Sequence, residues 1–221
     1  MIKAVLFDMD GVLIDSELMR LEQLQGIFKS MDIVMSNEEY IKFIGTSSIH
    51  MWGAIKDKYK LNFSLEELIN KDRGEYFNYL SSPETKITPI KGIPEFLKYL
   101  LKNNIKMAVA SSSPIDVIEL IIQSFNFKKY FLALVTGDYV KSSKPEPDIF
   151  LYAAEKLGVL PAECVVIEDS SNGVKAAKKA GMKCIGFRNL NSGNQDLSKA
   201  NIIIDSFYDS VCLNINKLKS I

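Results

Sequence analysis

The stretch that most constrains this chain is its start, Lys3-Ala-Val-Leu-Phe-Asp8-Met-Asp10-Gly-Val-Leu-Ile-Asp15. Ala4 to Phe7 are continuously apolar, the pattern of a strand buried on both faces of a parallel sheet. Such a strand puts Asp8 at its carboxyl end, where open α/β sheets place their ligands. Asp10 falls two residues past the ladder, and Gly11 allows backbone conformations that other residues avoid. Two carboxylates at one strand tip repel each other unless something cationic joins them. Alone, an Asp-x-Asp reads equally well as an acidic surface turn, so its meaning rests on what the rest of the chain brings to it.

The chain has 221 residues, enough for one domain or a core with an insert and for a substantial core. Lys plus Arg and Asp plus Glu number 27 each, so net charge points to neither nucleic acid nor an anionic membrane. Cys164, Cys184 and Cys212 are widely spaced and odd in number, without zinc or disulfide spacing. They read as reduced thiols in a cytoplasmic protein, with Cys164 and Cys184 packed as small core residues. The N-terminal apolar run is too short for a signal peptide and no stretch is long enough to span a bilayer. No oligomeric state is read from the sequence.

Taken in order, the pattern after the first strand is helical. Helices are expected at 17–30, 38–43, 48–60 and 64–79, and Ser64-Leu-Glu-Glu67 is a capping-box start. From residue 85 the pattern alternates. Helices are expected at 93–102, from Ser113-Pro114 onward, at 148–157 and at 173–180, with Ser113 as a helix cap. Strands are expected at 105–110, 131–136, 164–167, 183–187 and 201–204. Alternation of this kind specifies an α/β fold, a doubly wound (Rossmann-like) parallel sheet. The expected organisation is a core of residues 1–15 and 85–221, with an all-helical insert at 16–84.

Three further strand ends carry polar residues that could join Asp8 and Asp10. Ser111-Ser112-Ser113 offers a hydroxyl and backbone N–H groups suited to phosphate oxygens. Lys144, fixed in a loop stiffened by Pro145 and Pro147, offers a counter-charge. Glu168-Asp169 ends a buried strand, although Asp169 alone could serve as a helix cap. Four carboxylates in one crevice need a cation, and all-oxygen ligands select a hard ion such as Mg²⁺. A magnesium ion beside lysine and hydroxyl donors is what a phosphoryl group needs as its charge redistributes.

In this order and at these strand ends, Asp8-Met-Asp10-Gly-Val, Ser111, Lys144-Pro145 and Glu168-Asp169 resemble the haloacid dehalogenase superfamily over nearly the whole chain. The helical insert resembles that family's cap domain. The resemblance implies that Asp8 is a nucleophile forming an aspartyl-phosphate and that Asp10 is the acid and base. It also implies that Ser111 and the Ser112 amide hold phosphoryl oxygens while Lys144 neutralises them. Mg²⁺ would be held by Asp8, the Asp10 carbonyl and Asp169, with Glu168 a further or outer ligand. A dehalogenase would need neither Asp10 nor the magnesium site.

Within the family the expected activity is a phosphatase acting on small phosphate esters, most simply sugar phosphates, with β-phosphoglucomutase as the alternative. That mutase carries a histidine after the first motif, where this chain has Arg20, and an arginine after the cap's glycine loop. Here Gly45 is followed by Thr46, Ser47 and Ser48, which removes a bidentate phosphate grip. Gly45, Thr46, Ser47 and Arg20 are the insert's candidate substrate contacts, and Lys71 and Arg73 could also replace the missing arginine. Ile49, His50 and Trp52 read equally as crevice-facing or packed. A binding protein without turnover would be expected to have lost one of the catalytic residues. Residues 189–221 carry no expected chemistry.

Overall fold

The computed structural model describes residues 1–220; Ile221, the last residue assigned to the core from sequence, lies outside them. Six strands form one parallel sheet: β1 Ala4–Phe7, β2 Lys106–Ser111, β3 Ala133–Thr136, β4 Cys164–Glu168, β5 Lys183–Phe187 and β6 Ile202–Ile204, in the spatial order β3-β2-β1-β4-β5-β6. Alternate residues of the buried strands pack on opposite faces. Val5, Phe7, Val109 and Ile167 meet Phe96, Leu97 and Leu100 of α5 (Ile93–Lys102) and Val117, Ile118 and Ile121 of α6 (Ile115–Ser124). Leu6, Ala108 and Val166 meet Phe150 and Ala153 of α7 (Asp148–Leu157) and Val174 and Ala177 of α8 (Ser171–Lys179). Each large side chain so buried is worth about 1.5–3 kcal/mol. The order of strands reverses between β1 and β4, which opens a crevice at their carboxyl ends.

Between β1 and α5 lie α1 (Glu17–Ser30), α2 (Asn37–Tyr40), α3 (Ser48–Tyr59) and α4 (Leu65–Ser81), with no strand among them. They bury a cluster of their own, including Leu24, Phe28, Met51, Trp52, Ile55 and Leu68. The expected capping box of α4 is present: Ser64 N–H donates to Glu67 (2.7 Å) and Glu67 N–H to Ser64 Oγ (3.1 Å). The helix expected over 38–43 is instead α2, started one residue earlier by Ser36, which accepts from Glu39 N–H, and followed by a 3₁₀ turn, Ile41–Phe43. The two passages joining this insert to the sheet are bonded together. Asp15 N–H donates to the Thr88 carbonyl (3.2 Å) and Ile90 N–H to that of Leu13 (3.0 Å).

Two short helices, α9 (Ser210–Leu213) and α10 (Ile215–Lys219), follow β6. The three cysteines are buried and unpaired. Among the described residues, no helix is long and apolar enough to cross a membrane.

Candidate active site

The register of β1 builds the site. Phe7 pairs with Val109 on one side and Ile167 on the other, so Asp8 emerges level with Ala110 and Glu168. Asp8 N–H is fixed to the Ile167 carbonyl at 3.0 Å. Lys144 reaches the same point, fully buried, with Nζ 2.7 Å from Asp8 Oδ1, 2.6 Å from Glu168 Oε1 and 3.3 Å from the Ala110 carbonyl. Burial alone would push the Lys144 ammonium down, but the Asp8 and Glu168 carboxylates outweigh it and hold its pKa above the ordinary value.

Asp8, Glu168 and Asp169 are all buried and can place carboxylate oxygens within 4.8 Å of one another. Burial is the main reason that Asp8 is pushed up to about 7, with Lys144 pulling against it and Glu168 and Asp10 adding to it. Burial also raises Asp169, helped by Glu168, Glu17 and Asp8. One lysine therefore faces more carboxylates than it can neutralise. An all-oxygen set of this kind fits a hard divalent cation in chemistry and spacing. Room for it depends on two glycines. A Cβ on Gly11, whose φ is +75°, would overlap Asp169 Oδ2, and one on Gly173 would overlap the Glu168 carboxylate.

Asp169 does not cap α8. Ser170 does, accepting from Gly173 N–H at 3.0 Å, which leaves the aspartate for the crevice. Glu168 is engaged at both oxygens, by Lys144 at one and by Ser170 N–H (3.0 Å) and Oγ (2.9 Å) at the other. Asp10 turns away from the acid cluster. Its carboxyl accepts from Ser16 Oγ (2.6 Å), Ser113 Oγ (2.7 Å) and Tyr76 OH (3.3 Å). This corrects the role expected of Ser113: α6 is preceded by Pro114 with no side-chain cap, and the Ser113 hydroxyl goes to Asp10 instead. Ser111, at the end of β2, accepts from Ser113 N–H at 3.0 Å.

The helical insert supplies the other wall. Ser112 Oγ donates to the Gly45 carbonyl (3.1 Å), and Gly45, at φ +76°, lies so close to Ser170 that a Cβ would overlap its Oγ. Gly45, Thr46 and Ser47 all line the crevice. Thr46 donates to the Phe43 carbonyl (2.6 Å), and Ser47 caps α3 by accepting from His50 N–H. Arg20 lines it too, but its guanidinium donates two hydrogen bonds to buried Asp72 (2.7 Å each) and stacks 4.5 Å from the Tyr76 ring. Lys71 pairs with Glu75 along α4 and lies outside the crevice lining. Arg73 is the remaining candidate: it lines the crevice, one nitrogen is 2.6 Å from Asp138, and its Nε is buried without a partner. His50 and Ile49 are exposed, whereas Trp52 is packed and donates to Asp72 (2.9 Å).

Sequence reasoning missed several residues. Ser16, Tyr76 and Glu17 gather round Asp10, and Glu17 is pushed up to about 8 by burial and by the Asp10 and Asp8 charges. Ser16 and Glu17 directly follow the Asp8-to-Asp15 motif, a signal that could have found them; Tyr76 had none.

The family model of the haloacid dehalogenase-like hydrolases matches residues 5–187. The chain belongs to this family. As a haloacid dehalogenase-like hydrolase it is 32% identical over 186 residues to the phosphorylated carbohydrates phosphatase of Thermotoga maritima, covering 83% of each chain. It is 34% identical to the β-phosphoglucomutase of Bacillus subtilis, covering 83% of this chain and 82% of that one. Among solved structures, CbbY from Rhodobacter sphaeroides in complex with phosphate superposes with a TM-score of 0.85 at 26% identity, covering 95% and 96% of the two chains. A CbbY mutant was also solved with xylulose-(1,5)bisphosphate.

Proposed function

We propose that this hydrolase is a Mg²⁺-dependent phosphatase for small phosphorylated metabolites, sugar phosphates foremost, working through an aspartyl-phosphate. The observation that carries it is the separation of two aspartates into two environments. Asp8 is ion-paired to Lys144 at the strand tip, and Asp10 is held by three hydroxyls outside the Asp8, Glu168 and Asp169 cluster. The first is placed to attack phosphorus and the second to give a proton to the leaving oxygen, then take one from water. Ser111 Oγ and the Ser112 N–H would receive phosphoryl oxygens, with Lys144 balancing their charge. Asp8 and Asp169 would hold the ion together with the Asp10 carbonyl, and Glu168, already engaged at both oxygens, would act as an outer partner. The bound ion would neutralise charge as it develops on the phosphoryl group.

The helical insert, residues 16–84, acts as a cap over a core of residues 1–15 and 85–221. Glu17 and Arg73 face the part of the ester beyond its phosphoryl group. The similarity to a carbohydrate phosphatase supports sugar phosphates as the class. The mutase is the second reading, and the unpartnered Arg73 Nε is the observation in its favour, since it could grip a second phosphate. Phosphate release from a panel of sugar phosphates, run beside a coupled assay for β-glucose 1-phosphate isomerisation, separates the two. Release on several sugars without isomerisation is expected. Asp8→Asn should cut release by at least about 10⁴-fold, as removal of a nucleophile does elsewhere; an unchanged rate removes Asp8 from the mechanism.

A further inference from the structure

The loop after β5 makes contacts that nothing in its composition announces. Ser192 is fully buried and donates its hydroxyl to Asp169 Oδ2. Asn189 donates to the carbonyl of Gly11 (3.0 Å), the residue against which the Asp169 carboxylate lies. One loop therefore holds both a candidate metal ligand and the backbone beside it. Asn191 donates to both oxygens of Asp15 (3.0 and 2.8 Å), in the passage to the helical insert.

The loop's far end grips the insert. Gln195 Nε2 donates to the Ser192 carbonyl (3.1 Å) and to that of Ile41 (3.3 Å), and its Oε1 accepts from Ser171 N–H (2.8 Å). Gly193, at φ +71°, sits against the Ile41 side chain so closely that a Cβ would clash with it. Outer partners of a metal-ligating carboxylate fix its orientation, and here the outer partner belongs to a loop that also reads the position of the insert.

We propose that residues 189–195 are a clamp that orients Asp169 for the divalent ion and ties that orientation to the seating of the helical insert. Ser192 is its positioning residue. The inference rests on the metal-dependent reading above. It is tested by calorimetric titration of Mg²⁺ into the full chain, wild type, Ser192→Ala and Gln195→Ala, with Tm in EDTA recorded for each. Ser192→Ala should weaken Mg²⁺ binding roughly 10-fold or more, the usual effect of removing a ligand's outer partner. Its Tm in EDTA should move by only about 2–4 °C, the value of about 1 kcal/mol from one hydrogen bond. Gln195→Ala touches neither Asp169 nor the ion. It should weaken Mg²⁺ in the same direction and raise KM, and it carries the test if Ser192→Ala does not fold. Mg²⁺ affinity within about twofold of wild type in a folded Ser192→Ala overturns the clamp while leaving the metal site standing. Unchanged affinity in Gln195→Ala overturns the link to the insert, and absence of any Mg²⁺ binding in wild type overturns the clamp and the metal reading together.

Discussion

Asp10 accepts hydrogen bonds from Ser16, Tyr76 and Ser113, which lie at the insert's entry, on α4 and before α6. In the acid role proposed for Asp10, a carboxyl fixed from three directions would keep its reach to a leaving oxygen constant, the geometry on which general acid efficiency rests. Ser113→Ala should therefore lower kcat roughly 10-fold, the equivalent of about 1.4 kcal/mol from one hydrogen bond, with little change in Tm. A large loss of Tm at unchanged kcat would return Ser113 to the role of a helix cap. That Asp8, Lys144 and the Glu168-Asp169 pair meet was legible because each ends or follows an apolar strand. Ser113 was misread because the Ser-Pro-x-Asp spacing is a genuine cap signature. The structure diverts it: Ser113 N–H goes to Ser111 and its carbonyl accepts from Thr136 (2.7 Å), turning the hydroxyl toward Asp10, 103 residues away in sequence.

At the scale of elements, the insert is pinned by a buried ionic knot. Asp72 of α4 accepts both Arg20 bonds from α1 and the Trp52 indole N–H from α3, so one carboxylate ties three helices. Removing one partner of such a pair strands the other charge, and Asp72→Ala should cost about 3 kcal/mol or more. For a chain of this size that lowers Tm by roughly 6–12 °C, measurable by thermal unfolding; a shift under about 2 °C would mean that Arg20 finds water or another acceptor. The helices themselves were legible from spacing and caps: α7 stops at Gly158 and α4 starts at its Ser64 box, as the residues specify. What Arg20 touches was not. A cation just past the first motif suggests an anion grip, and only the tertiary approach of Asp72, 52 residues on, shows that an internal carboxylate already holds it.

Across the whole molecule the charges balance, 27 against 27, while the crevice concentrates acids around one lysine. Convergence of the strand ends was readable from the alternating pattern. The loop at 189–195 was not, because serine, asparagine and glutamine in a loop carry no periodicity and their partners lie up to 178 residues away. The acid excess sets a pH dependence. Asp8 rises from 3.8 to about 7 and Glu17 from 4.5 to about 8, so between these values the folded chain holds protons that the unfolded chain releases. Stability of the metal-free protein must then fall as pH rises through that window. A divalent ion bound as proposed would compete with those protons and favour the folded chain, so its contribution would grow as they leave. Thermal unfolding in EDTA should give a lower Tm near pH 8.5 than near pH 6. A fixed Mg²⁺ concentration, set at about 100 times the Kd at pH 8.5, should restore about 2.7 kcal/mol there, and less near pH 6, where proton competition makes it a smaller multiple of Kd. An EDTA Tm that rises with pH, or a Mg²⁺ gain larger at pH 6, would mean that the acids are not sharing protons in the folded crevice.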